Sequence, residues 1–241
     1  REVLCDVVRV IRMFRPDVVV TRFSPTGGGT HGHHTASGLL GVEAAKLAGD
    51  PAAYPEQLRE GLGVWSPRRV LLNAGGPGRG GATPSGALKM DIGGRDSASG
   101  EGLGAIASRS RGQHITQGFG GFGSRGPGDG PNEQAFLLLH GEPAQRDLFD
   151  GVETTWARFG TKGSRVAKLT AEVIDGFQKD DPAASLPALL RVRAALAELP
   201  AEPLVEDRRA QLDRIIQGAA GSAVRSESGR ASCRERVFRA V

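Results

Sequence analysis

The sequence predicts an α/β fold with a mostly parallel sheet and a helical C-terminal extension. Three observations carry that expectation. An amphipathic helix pattern runs into an unbroken valine run. A glycine-rich loop then opens a second helix. From about residue 162 onward, apolar residues recur at helical spacing between proline and acidic breaks.

Residues 2–14, EVLCDVVRVIRMF, place Leu4, Val7, Val8, Ile11 and Phe14 on one stripe, the spacing of a helix with one face toward a core. Pro16 closes it. Val18 to Phe23 then reads as a strand, and its consecutive valines suit a strand buried on both faces in a parallel sheet. The loop SPTGGGT leads to a helix from about His34 to Ala48, ended by Gly49-Asp50-Pro51. Further strands are expected at 68–73 and 87–92, with a short helix at 104–114 and an outer strand at 133–139. The glycine-rich stretches NAGGPGRGGATPSG and GFGGFGSRGPGDGPN between them read as loops. Three helices follow, at roughly 163–179, 183–198 and 203–219. This is the grammar of a Rossmann-like sheet, in which ligands bind beyond the carboxyl ends of the strands.

Composition narrows the function classes. A chain of 241 residues with 39% hydrophobic and 24% charged residues is globular in balance and long enough for one or two cored domains. No apolar run is long enough for a membrane-spanning helix. Residues 225–241 hold five arginines and two glutamates, which supply three of the four net positive charges. The body is therefore near neutral and gives no electrostatic case for nucleic acid. Cys5 and Cys233 lie at opposite ends and suggest no disulfide framework. Compartment and oligomeric state are not readable.

The chemistry concentrates in THGHHTAS, where His31, His33 and His34 follow a glycine run at the end of the first strand. Neutral imidazoles can hold a metal or move a proton, and glycines 27–29 let backbone approach a ligand closely. Exposed histidines in a glycine loop remain an alternative. Asp91 ends a strand, as a ligand-orienting residue or a turn cap, and His140 reads as structural. Trp65 and Trp156 read as packing.

Taken together, RPDVVVTRFSPTGGGTHGHHTAS, WSPRRVLLN, DIGG and IASRSRGQHITQGFG resemble the PIG-L (LmbE-like) zinc-dependent N-deacetylases over about residues 3–160. The likeness is closest to long bacterial members of that family. It implies hydrolysis of an N-acetyl group on a sugar, glycolipid or sugar conjugate, with Zn2+ as cofactor. It further implies His34 as a metal ligand and His31 as a catalytic group that stabilises the oxyanion or protonates the leaving amine. His114 and Gln117 would contact substrate, and His33 and Asp91 would support the metal shell. The family's H-P-D-D-E motif, which carries the other ligands and the general base, does not occur in the chain, and His33 stands where the family has an aspartate. The expectation is thus the C-terminal part of a deacetylase domain (1–160), incomplete and inactive alone, then a helical extension (161–224) and a tail (225–241) outside the native fold. The rival expectation is a non-catalytic α/β binding module whose glycine-rich loops engage nucleic acid or a protein partner.

Overall fold

The computed structural model describes residues 2–27, 31–75, 84–117 and 132–227, without the side chains of 117 and 222–227. The described residues form two compact units, Arg1–Asp150 and Gly151–Val241. The helical unit thus takes in Trp156–Phe159, a short 3-10 helix that the sequence assigned to the first domain.

In the first unit, helix α1 (Glu2–Phe14) leads to strand β1 (Val18–Thr21), helix α2 (Gly32–Ala48) and a short helix α3 (Pro55–Arg59) that the sequence did not announce. Strands β2 (Arg69–Gly75) and β3 (Leu88–Asp91), helix α4 (Leu103–Gly112) and strand β4 (Glu133–Gly141) follow. The sheet order is β1-β2-β4-β3. β1 pairs parallel with β2, while β4 runs antiparallel to both β2 and β3.

Two expectations are corrected here. The sheet is mixed, with one parallel pairing and two antiparallel ones. The strand expected on the outside, β4, lies in the interior, and β3 takes the edge. An apolar run such as Leu137-Leu138-Leu139 reports burial but not which neighbours supply it, so periodicity alone could not order these strands. β3 still points the same way as β1 and β2, because two antiparallel steps restore direction.

One face of the sheet carries α1 and α2. Val8 and Ile11 of α1 meet Ala44, Ala45 and Ala48 of α2 over Val70, with Val19, Trp65 and Leu139 packed alongside. Small residues on α2 let it lie close to the strands. Phe14, expected on the core stripe, is 71% exposed, and Arg12 is buried in its place with 1% exposure.

Arg12 earns that position through hydrogen bonds. Its Nε donates to Ala48 O, Nη1 to Tyr54 O and Gln57 Oε1, and Nη2 to Asp50 O and Ala53 O at 2.9 Å each. These acceptors are the carbonyls at the C-terminal end of α2 and the turns after it, where the helix dipole is negative. A second buried guanidinium, Arg69, donates to Glu142 O, Leu148 O and Asp150 O and gathers the segment after β4. The Asp150 carboxylate accepts from Gln145 N and Arg146 N within that segment, and these bonds hold its pKa below the ordinary carboxylate value.

The second unit contains α5 (Gly160–Asp175), α6 (Leu186–Ala197) and α7 (Pro203–Glu227). Its separate core joins Val166, Val173, Leu189, Val192, Leu196, Val205 and Leu212. Three helices here match the expectation, with α7 running longer than the apolar spacing suggested. Arg209 donates to Leu196 O and Leu199 O and so satisfies the end of α6. No described helix is long and apolar enough to cross a membrane.

Candidate functional site

The site is built where β1 ends. Arg22 and Phe23 leave the strand, the chain loops, and α2 begins with His31 at its N-cap and His33 and His34 in its first turn. Two glycines set the depth of α2. A Cβ on Gly38 would sit 2.2 Å from the Phe23 carbonyl oxygen, and one on Gly41 would sit 3.1 Å from the Thr21 methyl. The first distance is impossible for a real side chain, so this register requires glycine at 38.

That close approach brings His34 onto Phe23. The two rings stack with centroids 3.9 Å apart and planes within 4°. His34 is thereby fixed at the carboxyl edge of the parallel β1–β2 pair, the edge at which α/β sheets bind ligands. His33 meets the His34 ring edge-on at 4.2 Å, and His31 lies 5.5 Å from His34 and 5.6 Å from His33. The backbone is ordered by His34 N donating to His31 O at 2.9 Å and Ser37 Oγ donating to His34 O at 2.7 Å.

The surroundings hold His34 below the ordinary histidine pKa. Desolvation against its neighbours is the largest cause, followed by the positive charge His33 and then His31 would carry. A helix N-terminus is in any case a poor seat for imidazolium. The neutral form is thus favoured, the form that donates to a cation. With a folded pKa below the unfolded one, the folded state binds fewer protons. The stabilisation is complete above about pH 6.5, the unfolded value. It is lost as pH falls through the folded value. An NMR titration of the His34 ring is expected to give a midpoint below 6.5, with His34→Gln flattening the stability profile across that window; a midpoint at or above 6.5 would contradict it.

The sequence did not single out two further residues at this edge. Arg22 Nη1 donates to Asn73 O at 3.0 Å and to Asn73 Oδ1 at 3.1 Å, and Asn73 Oδ1 also accepts from Gly75 N. The exit of β1 and the end of β2 therefore place a cation and an amide on the same rim as the histidines. An arginine at the end of the strand expected over Val18 to Phe23, just before a glycine loop, was the available signal.

The other candidate residues lie elsewhere. Asp91 ends β3, at the same carboxyl edge but three strands from β1, on the order of 14 Å at ordinary strand spacing. Its Oδ1 accepts from Asn132 N and Gly93 N at 2.7 and 2.8 Å, and those bonds lower its pKa. It closes a turn rather than orienting His34. His114 is exposed after α4, its Nδ1 3.3 Å from Arg111 O. Gln117 ends the 3-10 turn Ile115–Gln117, and its side chain lies outside the described residues. His140 pairs opposite Val70, at the far end of β2 from the histidine cluster. Trp65 is a packing residue, its Nε1 donating to Pro16 O at 2.7 Å. The glycines at 28 and 29, most of both glycine-rich loops and residues 228–241 of the tail also lie outside the described residues.

The three imidazoles are suitable donors for a borderline cation such as zinc. Among the described residues, however, no group of three His, Cys, Asp or Glu side chains is disposed to hold a metal ion. His34 alone, ordered by its stack and biased to the neutral form, fits the part of a single ligand.

Compared with known proteins, the chain matches no protein-family model, no curated protein and no solved structure.

Proposed function

We propose that the first unit is the C-terminal part of a metal-dependent N-deacetylase domain, of Rossmann-like organisation when complete, acting on an N-acetylated sugar, glycolipid or sugar conjugate. The observation that carries the reading is His34: a neutral-favoured imidazole locked on Phe23 at the carboxyl edge of β1–β2. The sequence resemblance gives that imidazole its role. Among the described strands β1 lies at an edge, Val20 on it is half exposed, and Val3, Val10 and Phe14 leave an apolar outer surface on α1. A preceding strand and helix would cover both.

When bound, a divalent cation would activate water and polarise the acetamido carbonyl. His34 contributes one donor from a fixed direction. On this reading His31, exposed at the helix start, would give a hydrogen bond to the developing oxyanion or, when protonated, a proton to the departing amine. Arg22, held by Asn73, supplies a fixed positive charge on the rim for a substrate oxygen. His33 reinforces the neutral form of His34 by charge repulsion.

Among the described residues no second and third donor joins His34, so on this reading the remaining donors come from beyond the described residues. The test is metal analysis and deacetylase assay of this chain beside one extended upstream in the natural gene. Expected are poor zinc retention and no activity in the 241-residue chain, and bound zinc with turnover in the extended one. In the extended chain, His34→Ala should cost more than the ~10–100-fold that losing an outer-shell partner costs. Stoichiometric zinc in the short chain, or an extended chain indifferent to His34→Ala, would overturn the reading. A preceding sequence with no His/Asp ligand pair would favour the binding-module alternative.

A further inference from the structure

The helical unit contains a cavity that the deacetylase reading does not use. It lies among α5, α6 and α7 and measures about 360 Å³. Trp156, Phe177, Leu189, Val192 and Leu212 make its wall apolar. Thr170 adds to that character: its hydroxyl donates to Val166 O at 2.9 Å within its own helix, so it presents little polarity inward. Polarity on the wall comes from Arg208 and Gln211, one turn apart on α7.

The arrangement at this end is specific. Arg208 Nη1 donates to Gln211 Oε1 at 2.6 Å, and Gln211 Nε2 in turn donates to Asp207 Oδ2 at 2.7 Å. Asp207 Oδ2 forms a long ion pair with Arg208 Nη2 at 3.9 Å, beyond hydrogen-bond reach, so it offsets the arginine's charge only in part, and its carboxylate also accepts from the glutamine. The Arg208 side chain lines the cavity and is 46% exposed, so it joins the apolar wall to water at the rim. An apolar pocket half open to solvent, with one half-exposed arginine at its rim, complements a molecule with a hydrocarbon chain and an anionic end. The volume holds about a dozen water-sized groups, taking roughly 30 Å³ for each. The wall runs over two turns from Thr170 to Phe177 and over two turns of α7 from Arg208 to Ile215, so an amphipathic helix is the competing occupant, and the cation at the rim favours the anionic chain over it.

We propose that the helical unit binds a single-chain carboxylate of about ten carbons, its chain among α5, α6 and α7 and its head on Arg208. This site is independent of the histidine cluster, and its failure would leave the deacetylase reading untouched.

Calorimetric titration of the full chain with decanoate and with decanol, both below micelle-forming concentrations, tests it. Decanoate should bind one to one and more tightly than decanol. Arg208→Gln should weaken decanoate about tenfold, as for a lost hydrogen bond to a charged group, and leave decanol within about twofold. Ile174 lines the cavity and is 59% exposed. Ile174→Trp should therefore block both ligands from the rim without lowering the melting temperature. Equal affinity for decanoate and decanol, indifference to Arg208→Gln, or no saturable binding would overturn the proposal. So would binding of an amphipathic helical peptide with no binding of decanoate.

Discussion

Replacing Arg12 with leucine should destabilise the first unit by about 3–5 kcal/mol, from the several buried carbonyls it leaves without a donor. The guanidinium satisfies carbonyls of Ala48, Asp50, Ala53 and Tyr54 together with the Gln57 side chain. Leucine fills the volume but leaves these acceptors buried and unsatisfied, each at about 1–3 kcal/mol before local relaxation. The end of α2 and the turn to α3 would loosen together. Arg12→Lys should recover little, because one ammonium has three donors and no fork to span acceptors on both sides. Urea denaturation followed by circular dichroism checks this. A change under 1 kcal/mol for Arg12→Leu would mean that water replaces the guanidinium at no great cost.

Gly38→Ala should be nearly as damaging, and its effect should reach the histidines. The added methyl would lie 2.2 Å from the Phe23 carbonyl oxygen, a backbone atom that cannot swing aside. Overpacking of this kind costs about 1–3 kcal/mol, even though alanine is the better helix former by about 1 kcal/mol. Relief requires α2 to move away from the exit of β1, which pulls His34 off Phe23. The expected result is a lower unfolding midpoint together with a His34 titration that moves back toward the ordinary histidine value. If Gly38→Ala lowers stability but leaves the His34 titration unchanged, the glycine does not set the position of the ring. Gly61→Ala is a poor control because Gly61 has φ +96°, whereas Gly112 has open space around it and tests the helix effect alone.

Much of this architecture was legible in the sequence. The stripe Leu4, Val7, Val8, Ile11 gave α1, the valine run gave β1, and the histidines fell at the start of the next helix, as found. What was hidden depended on partners distant in the chain. Arg12 falls one turn after Val8, on the buried stripe, but an arginine there reads as surface until the carbonyls of residues 48–54 appear around it. Gly38 reads as a small loss of helix propensity until Phe23 O is seen facing it. The interior place of β4 depends on pairing with β2, whose last residue Gly75 lies opposite Ala135. No local pattern encodes a contact across sixty positions. Asp91 misled for the opposite reason: its turn bonds to Gly93 and Asn132 are partly local, and a strand-end carboxylate looks the same whether it caps a turn or orients a ligand.

The sheet order has a consequence for how this protein can vary. β2 and β4 are neighbours, yet residues 76–132 intervene, and nearly all of both glycine-rich stretches falls there. Closing a connection costs only about 0.6 kcal/mol more each time its length doubles. Lengthening or trimming those stretches should therefore barely change the equilibrium between folded and unfolded chain. It should instead slow or speed assembly, because the central antiparallel ladder cannot zip until its distant half arrives. The β1–β2 pair is joined through α2 and α3, so it can take shape first and serve as the template on which the remainder is laid.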